Sequence, residues 1–139
     1  MPLDLSPLQA AISALADAIT FAQSPMVAKM TEAQQKTIQA GVIQCFEFTY
    51  ERAWKYMKRW LDHNLGSVYV DGVSRKGLFR LAAEHQLITD VPAWFEYHMA
   101  RNKTSHTYAA ETAAEVYQVA PYFLQDVQAL LLQLQQHNE

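Results

Sequence analysis

Apolar residues recur every three or four positions through most of this chain, the spacing that places them on one face of an α-helix. The first segment has Ser6 as a predicted N-cap and Pro7 at the first helical position, and it ends at Ser24–Pro25. Its apolar face consists of Leu8, Ile12, Leu15 and Ile19. A second, longer helix is predicted from Thr31–Glu32 to about Gly66, a residue that commonly ends helices.

The same spacing predicts three more helices further along the chain. The first runs from Ser74 to about Glu84. The second follows Asp90 or Val91, has Pro92 in its first turn and runs toward Arg101. The third runs from about Ala110 to Gln136. Residues 67–72 contain β-branched and turn-forming types, and we interpret them as a loop. The pattern predicts an all-α protein, an antiparallel up-and-down bundle of about five helices that forms a single domain over residues 1–139.

Composition and charge narrow the class of protein. Half of the 139 residues are hydrophobic and 18% are charged, which favours one folded core over disorder. The formal net charge of −3 argues against polyanion binding driven by overall charge, so any contact with nucleic acid must depend on a local site. Cys45 is the only cysteine, which excludes an internal disulfide and a cysteine-based metal site. The N-terminus does not resemble a secretory signal and no apolar run approaches the length of a membrane span, so we expect a cytoplasmic protein with no membrane partner.

One segment combines residue types suited to a phosphate ester. Residues 101–108 contain Arg101, Asn102, His106 and Tyr108 together with three hydroxyl side chains. Arginine presents a rigid fork of donors to phosphate oxygens, and histidine transfers protons near neutral pH. The spacing also fits a purely structural role, with Arg101 paired to a carboxylate and His106 capping the helix.

The order Arg101, four residues, His106, one residue, Tyr108 resembles the Arg-x4-His-x-Tyr signature of HEPN proteins. More narrowly, the chain is similar to the nucleotidyltransferase substrate-binding protein family, whose members are encoded beside a minimal nucleotidyltransferase. The similar stretches of sequence are residues 44–51, 55–59, 77–82, 87–90 and 101–108, together with Trp94. Together these stretches cover most of the chain from about residue 38 onward.

This resemblance implies a HEPN-like helical bundle that dimerises so that two motifs face a shared cleft, and a metal-independent endoribonuclease toxin that needs no cofactor. Its implied catalytic residues are Arg101, Asn102 and His106. His106 would assist attack by the RNA 2′-hydroxyl or protonate the leaving oxygen, and Arg101 would stabilise the charged transition state. Asn102 would position the phosphate or orient the histidine. The expected substrate is structured RNA such as tRNA or mRNA.

The resemblance also implies a partner, a cognate minimal nucleotidyltransferase that acts as antitoxin and transfers AMP to Tyr108. The alternative for Tyr108 is a structural tyrosine that hydrogen-bonds across the loop. Relatives often have an acidic residue just after this tyrosine, whereas Ala109 and Ala110 follow it here. Any role of that acidic residue in relatives, such as orienting the tyrosine or binding the partner, is therefore not assigned to this chain.

Basic residues elsewhere are candidates for weaker RNA contacts: Lys55, Lys58, Arg59, Arg75, Lys76 and Lys103. The alternative is a solvated basic face that pairs with Glu47 and Glu51, two carboxylates for which salt bridges are favoured over a metal site. Five large aromatic residues are expected in the core: Trp54, Tyr56, Trp60, Trp94 and Phe95. Tyr97 is the exception and is expected to be available for stacking on bases. His98 lacks the further ligands that a zinc site needs.

Two other functions remain open at this level. The same Arg101–His106 cleft suits a non-catalytic substrate- or nucleotide-binding subunit of a two-component nucleotidyltransferase. It also suits a structural helical adaptor, in which the motif serves only to order the loop.

Overall fold

The computed structural model describes residues 2–104 and 110–138, and this part of the chain contains helices and no strand. The helices are α1 (Ser6–Ala22), α2 (Pro25–Ala28), α3 (Glu32–Leu65), α4 (Ser67–Val70), α5 (Arg75–Glu84), α6 (Val91–Thr104) and α7 (Ala110–Gln136). The five predicted helices are confirmed, and the two additional ones are single turns of four residues. No helix within the described ranges is long and apolar enough to cross a membrane.

Local capping explains most of these boundaries. Thr31 and Gln34 form a reciprocal capping box at the start of α3, in which each side chain accepts a hydrogen bond from the other residue's backbone N–H at 3.1 Å. Ser74 caps α5 by accepting from the Gly77 N–H at 3.1 Å. The predicted N-cap at Ser6 is wrong by one residue, because Ser6 is already helical and Leu5 takes the cap position.

Two predicted boundaries at α4 and α6 also differ. Residues 67–72 do not form a simple loop, because Gly66 adopts a φ of 95° that lets a new turn of helix start at once. That turn brings Val70 into the core, where it is fully buried. Helix α6 continues beyond Arg101 to Thr104, so the arginine lies within the last helical turn.

Contacts between helices give the direction of each. The Thr49 hydroxyl on α3 donates to the Ala11 carbonyl on α1 at 3.2 Å, and the Tyr56 hydroxyl donates to the Asp4 carbonyl at 2.7 Å. Later residues of α3 thus meet earlier residues of the first segment. Helices α1 and α3 are therefore antiparallel.

The remaining long helices are oriented by the same reasoning. Phe46 of α3 packs against Phe123 of α7 with ring centroids 5.0 Å apart, while Trp60 donates to the His137 carbonyl at 3.2 Å, so α3 and α7 run in the same direction. On α6, Tyr97 contacts Asp126 and Lys103 contacts Glu115, so α6 runs opposite to α7. Helices α1, α3, α6 and α7 thus alternate in direction, as predicted for an up-and-down bundle.

The apolar faces of these helices meet in one contiguous core. Its centre is an aromatic cluster around Phe123, which makes edge-on contacts with Phe46, Trp94 and Tyr97 at centroid distances of 5.0 to 5.7 Å. The prediction that Tyr97 is available for base stacking is wrong: only 4% of its surface is exposed and its hydroxyl donates to the Asp126 carboxylate. The short helix α5 covers the other side of α3 and α6 and buries Leu78, Phe79 and Ala82.

Candidate functional site

Arg101 is held against the middle of α3. Its Nε lies 3.3 Å from Oε1 of Glu51, and the two side chains retain 24% and 36% of their surface exposed. The second carboxylate oxygen, Oε2, accepts a hydrogen bond from Nε1 of Trp54 at 3.0 Å. On the other side, Nη1 of Arg101 donates to the Thr104 hydroxyl at 3.3 Å, and that hydroxyl donates to the Arg101 carbonyl at 2.7 Å. The guanidinium is therefore fixed in direction while it remains within reach of a solvent-borne anion.

Asn102 belongs to a second chain of polar contacts on the same helix. Its Nδ2 lies 3.3 Å from Nε2 of His98, one helical turn earlier. The other ring nitrogen, Nδ1, lies 2.8 Å from the Tyr50 hydroxyl on α3. Tyr50 is almost fully buried. A line of hydrogen-bonding groups thus leads from the aromatic core to the exposed amide beside Arg101.

The surroundings change the acid–base behaviour of two of these groups. Burial lowers the pKa of His98, and the nearby Arg75 cation lowers it further, against a smaller opposite effect of Glu51. Burial also raises the pKa of Tyr50 well above its ordinary range, so the phenol stays protonated. A neutral imidazole and a neutral phenol at neutral pH are the consequence.

Cations and partly exposed aromatic rings lie side by side next to this polar group. The guanidinium carbon of Arg75 on α5 is 3.3 Å from the centroid of the Trp54 ring, and the Lys55 ammonium is 5.7 Å from the same ring. The Lys76 ammonium lies 5.0 Å from the centroid of Phe95. Positive charge over an aromatic face is attracted by the ring's quadrupole. We call these five residues the cation–aromatic surface.

The other predicted RNA-contacting lysines and arginines have different surroundings. Lys58 lies 3.1 Å from Asp62 and 3.3 Å from Asp71, and hydrogen bonds to both carboxylates raise its pKa. Lys103 pairs with Glu115 at 2.9 Å, and Arg59 lies over the Tyr56 ring at 5.1 Å. The first two cations are thus already matched by carboxylates, although Lys58 also lines a cleft together with Trp54 and Arg75 of the cation–aromatic surface.

The structure describes only part of the predicted motif. Arg101 and Asn102 occupy the last turn of α6, whereas His106 and Tyr108 lie in residues 105–109, outside the described residues. Those residues connect α6 to α7. The structure therefore gives the surroundings of the arginine and asparagine alone.

Several members of the site were not predicted as such. Glu51 was expected in salt bridges with basic neighbours on its own helix, but the observed ion pair is with Arg101 on α6. Trp54 was expected in the core, yet it is half-buried and carries Arg75 on its face. His98 was considered only as a metal ligand. One signal was present in the sequence: His98 and Asn102 are four residues apart and so share a helix face.

Metal ligation has little support in the described part of the chain. Residues 2–104 and 110–138 contain no group of three or more His, Cys, Asp or Glu side chains placed to hold one ion. Glu51 uses both carboxylate oxygens in contacts with Arg101 and Trp54. Among the described residues, neither Glu51 nor His98 is part of such a group.

The alternating four-helix bundle with an arginine–asparagine pair at the end of its third long helix defines a small helical protein of the HEPN type. The chain belongs to the family described as nucleotidyltransferase substrate binding protein like, whose model matches residues 3–136.

Individual relatives agree with this assignment. A probable ribonuclease HepT from Haemophilus influenzae is 41% identical over 106 residues, which cover 76% of this chain and 73% of that protein. A solved Haemophilus influenzae structure, described as the fold of a substrate binding domain of a nucleotidyltransferase, has a TM-score of 0.90 at 34% identity and covers 95% of this chain and 99% of its own. A Thermus thermophilus protein of known structure has a TM-score of 0.68 at 27% identity, with 89% and 98% of the two chains covered.

Proposed function

We propose that this protein is a metal-independent endoribonuclease toxin in which Arg101, Asn102 and His106 act on one RNA phosphodiester. One observation carries the proposal: an oriented, partly exposed guanidinium stands beside an exposed amide, directly before the segment that holds His106. The likeness to a protein named as a probable ribonuclease supports it. We further propose a cytoplasmic site of action and a structured RNA substrate such as tRNA or mRNA.

In the proposed reaction the RNA supplies its own nucleophile. The 2′-hydroxyl oxygen attacks the adjacent phosphorus, the P–O5′ bond breaks, and the products carry a 2′,3′-cyclic phosphate and a 5′-hydroxyl. His106 accepts the 2′-hydroxyl proton or gives a proton to the departing 5′ oxygen. Arg101 stabilises the negative charge that builds on the phosphate oxygens, because its direction is already set by Glu51 and Thr104.

A homodimer would complete this chemistry. A single histidine cannot serve as acid and base in the same step, whereas two motifs facing one cleft supply one of each. We therefore propose that two copies of the chain share the active cleft.

The cation–aromatic surface is the proposed contact for the RNA on either side of the scissile bond. Arg75, Lys76 and Lys55 offer positive charge, and Trp54 and Phe95 offer ring faces. Lys58, Arg59 and Lys103 remain weaker candidates for phosphate contacts. Since Lys58 and Lys103 are paired with carboxylates, their removal is expected to affect RNA binding less.

Regulation is proposed to depend on a cognate minimal nucleotidyltransferase. Transfer of AMP from ATP to the Tyr108 hydroxyl, with release of pyrophosphate, would add a negative charge to the motif that also contains Arg101 and so exclude RNA from the cleft. Mass spectrometry of the protein after co-expression tests this. An adenylyl mass on Tyr108 is expected; its absence while toxicity is still suppressed would indicate occlusion by the partner.

The nuclease proposal is tested with purified protein, RNA and EDTA. We expect cleavage by the wild-type chain and loss of cleavage in Arg101→Ala and His106→Ala, with helical content unchanged by circular dichroism. His63→Ala serves as a matched control, because His63 is exposed on α3 and distant in sequence from the motif. Undiminished cleavage by His106→Ala would remove that residue from the mechanism, and size measurements in solution test the dimer.

A second candidate function is a non-catalytic subunit that presents substrate to the nucleotidyltransferase. The description of the matching family and that of the Haemophilus influenzae structure favour it. In that case the Arg101 cleft binds a nucleotide or phosphate and cuts nothing. Growth arrest on expression without the partner supports the nuclease; harmless expression together with nucleotide binding supports the subunit.

A further inference from the structure

His98 connects the buried core to the Arg101–Asn102 pair. Its Nδ1 lies 2.8 Å from the Tyr50 hydroxyl, and its Nε2 lies 3.3 Å from Nδ2 of Asn102. The ring also packs against Tyr50 and Phe95, with centroid distances of 5.9 Å to each. It is thus held on both sides, and its two nitrogens face different kinds of partner.

The partners determine which nitrogen carries the proton. The Asn102 amide nitrogen faces Nε2 of His98 at 3.3 Å; because an amide nitrogen can donate a hydrogen bond but cannot accept one, we infer that Nε2 is the acceptor. In a neutral imidazole the hydrogen then resides on Nδ1, which donates to the Tyr50 oxygen. The same assignment directs the amide nitrogen of Asn102 inward, so that its carbonyl oxygen lies on the other side of the amide.

We propose that His98 is a positioning residue: in its neutral Nδ1–H form it orients the Asn102 amide so that Oδ1 is presented to the RNA as an acceptor. This inference rests on the proposed nuclease function. An acceptor at this point suits the hydrogen of a 2′-hydroxyl that neighbours the attacking one, a group that DNA lacks. Asn102 would then help to select RNA as substrate.

Protonation of His98 reverses this arrangement. A charged imidazolium carries hydrogen on both nitrogens, so Nε2–H would oppose the amide N–H of Asn102. Rotation of the amide by half a turn relieves this conflict and presents a donor, not an acceptor, to the RNA. The charged or titratable groups that face His98 are Tyr50 and Glu51 from α3 and Arg75 from α5. Burial and Arg75 disfavour the imidazolium, and Glu51 opposes them.

Two variants separate orientation from packing. In His98→Gln the amide offers one donor and one acceptor without titrating near neutral pH, whereas His98→Leu offers neither. We expect His98→Leu to lower kcat about tenfold with little change in KM, the effect of one lost positioning hydrogen bond. His98→Gln is expected to restore most of that loss and to lose less of its kcat than the wild type in mildly acidic buffer, since the His106 step is common to both proteins. His63→Gln, on the exposed end of α3, should behave as wild type at every pH.

Nitrogen NMR of the histidine ring gives a readout that needs no RNA cleavage. We expect the neutral Nδ1–H form for His98 and a titration midpoint below the ordinary range of histidine. Asn102→Ala should leave the Tyr50 contact intact and shift the Nε2 resonance. A neutral Nε2–H form would overturn the proposal, as would a His98→Leu variant with wild-type kcat. If the wild type cleaves no RNA, the nuclease proposal fails, while the NMR result still decides whether His98 orients Asn102.

Discussion

The ion pair between Arg101 and Glu51 provides the sharpest test of how the site is built. Both side chains are partly buried, and Nε and Oε1 are 3.3 Å apart. Replacement of either residue by glutamine removes one charge and retains most of the side-chain volume. Because Arg101 also bonds Thr104 and Glu51 also bonds Trp54, each single variant loses more than the ion pair. A double-mutant cycle cancels those other losses and isolates the interaction between the two side chains.

The structure sets the size of the expected coupling. At 3.3 Å and an effective dielectric constant of about 20, the Coulomb attraction amounts to about 5 kcal/mol before solvation is counted. Loss of hydration and screening offset most of this, since exposed pairs retain about 0.2–1 kcal/mol. With a quarter to a third of each side chain exposed, we expect a coupling of about 1 kcal/mol.

Urea unfolding of the wild type, Arg101→Gln, Glu51→Gln and the double variant measures this coupling. The exposed pair Glu32–Lys36 is a matched control: its atoms are 3.4 Å apart, but its side chains are 85% and 67% exposed, so its own cycle should give about 0.3 kcal/mol. In 1 M salt both couplings should decrease, because the screening length falls to about 3 Å. A coupling for Arg101 and Glu51 no larger than that of the control would refute the idea that Glu51 orients the arginine.

Three further predictions concern the scaffold. Phe123→Ala should lower the free energy of unfolding by about 3–5 kcal/mol in thermal or urea melts, since the ring is fully buried among aromatic partners, whereas Leu132→Ala on the exposed face should change it by less than about 1 kcal/mol. Asn138→Ala removes two hydrogen bonds to one backbone unit near the N-terminus, at 2.8 and 2.9 Å, and should cost about 1–2 kcal/mol; an unchanged melting temperature would contradict this. Burial and Asp126 raise the pKa of Tyr97, so the folded state holds this proton to higher pH than the unfolded state does. Stability should therefore be retained below pH about 10 and fall as pH rises above it, and Tyr97→Phe should weaken that fall; an equally steep loss in the variant would count against the assignment.

Much of the fold follows from local sequence. The spacing of Leu8, Ile12, Leu15 and Ile19 identified a helix face, and all four side chains are buried in the structure. Thr31 and Gly66 marked the two ends of the longest helix because capping and a positive φ are local properties. Such features depend on neighbours within a few positions, and sequence shows those neighbours directly.

Burial of individual aromatic residues was less predictable. Tyr97 was expected at the surface but is buried, and Trp54 was expected in the core but is only partly buried, packing against the core with Arg75 over its ring. Helical spacing places a residue on a face without showing which part of the bundle that face meets. For Trp54, the surroundings depend on helix α5, because Arg75 on α5 lies over the Trp54 ring.

Some residues of the candidate site could be identified from sequence, and others only from the packing of the helices. Arg101 and Asn102 could be chosen from sequence because they belong to one short motif. His98 lies on the same helix, four residues before Asn102. Glu51 and Tyr50 join the site only when α3 packs against α6, because they are 50 and 48 positions from their partners Arg101 and His98. Sequence thus determined the helices, the motif and the pairing of His98 with Asn102 on one helix face. Tertiary packing determined which carboxylate holds the guanidinium and which phenol meets the imidazole, because hydrogen bonds and ion pairs act over a few ångströms of space regardless of distance along the chain.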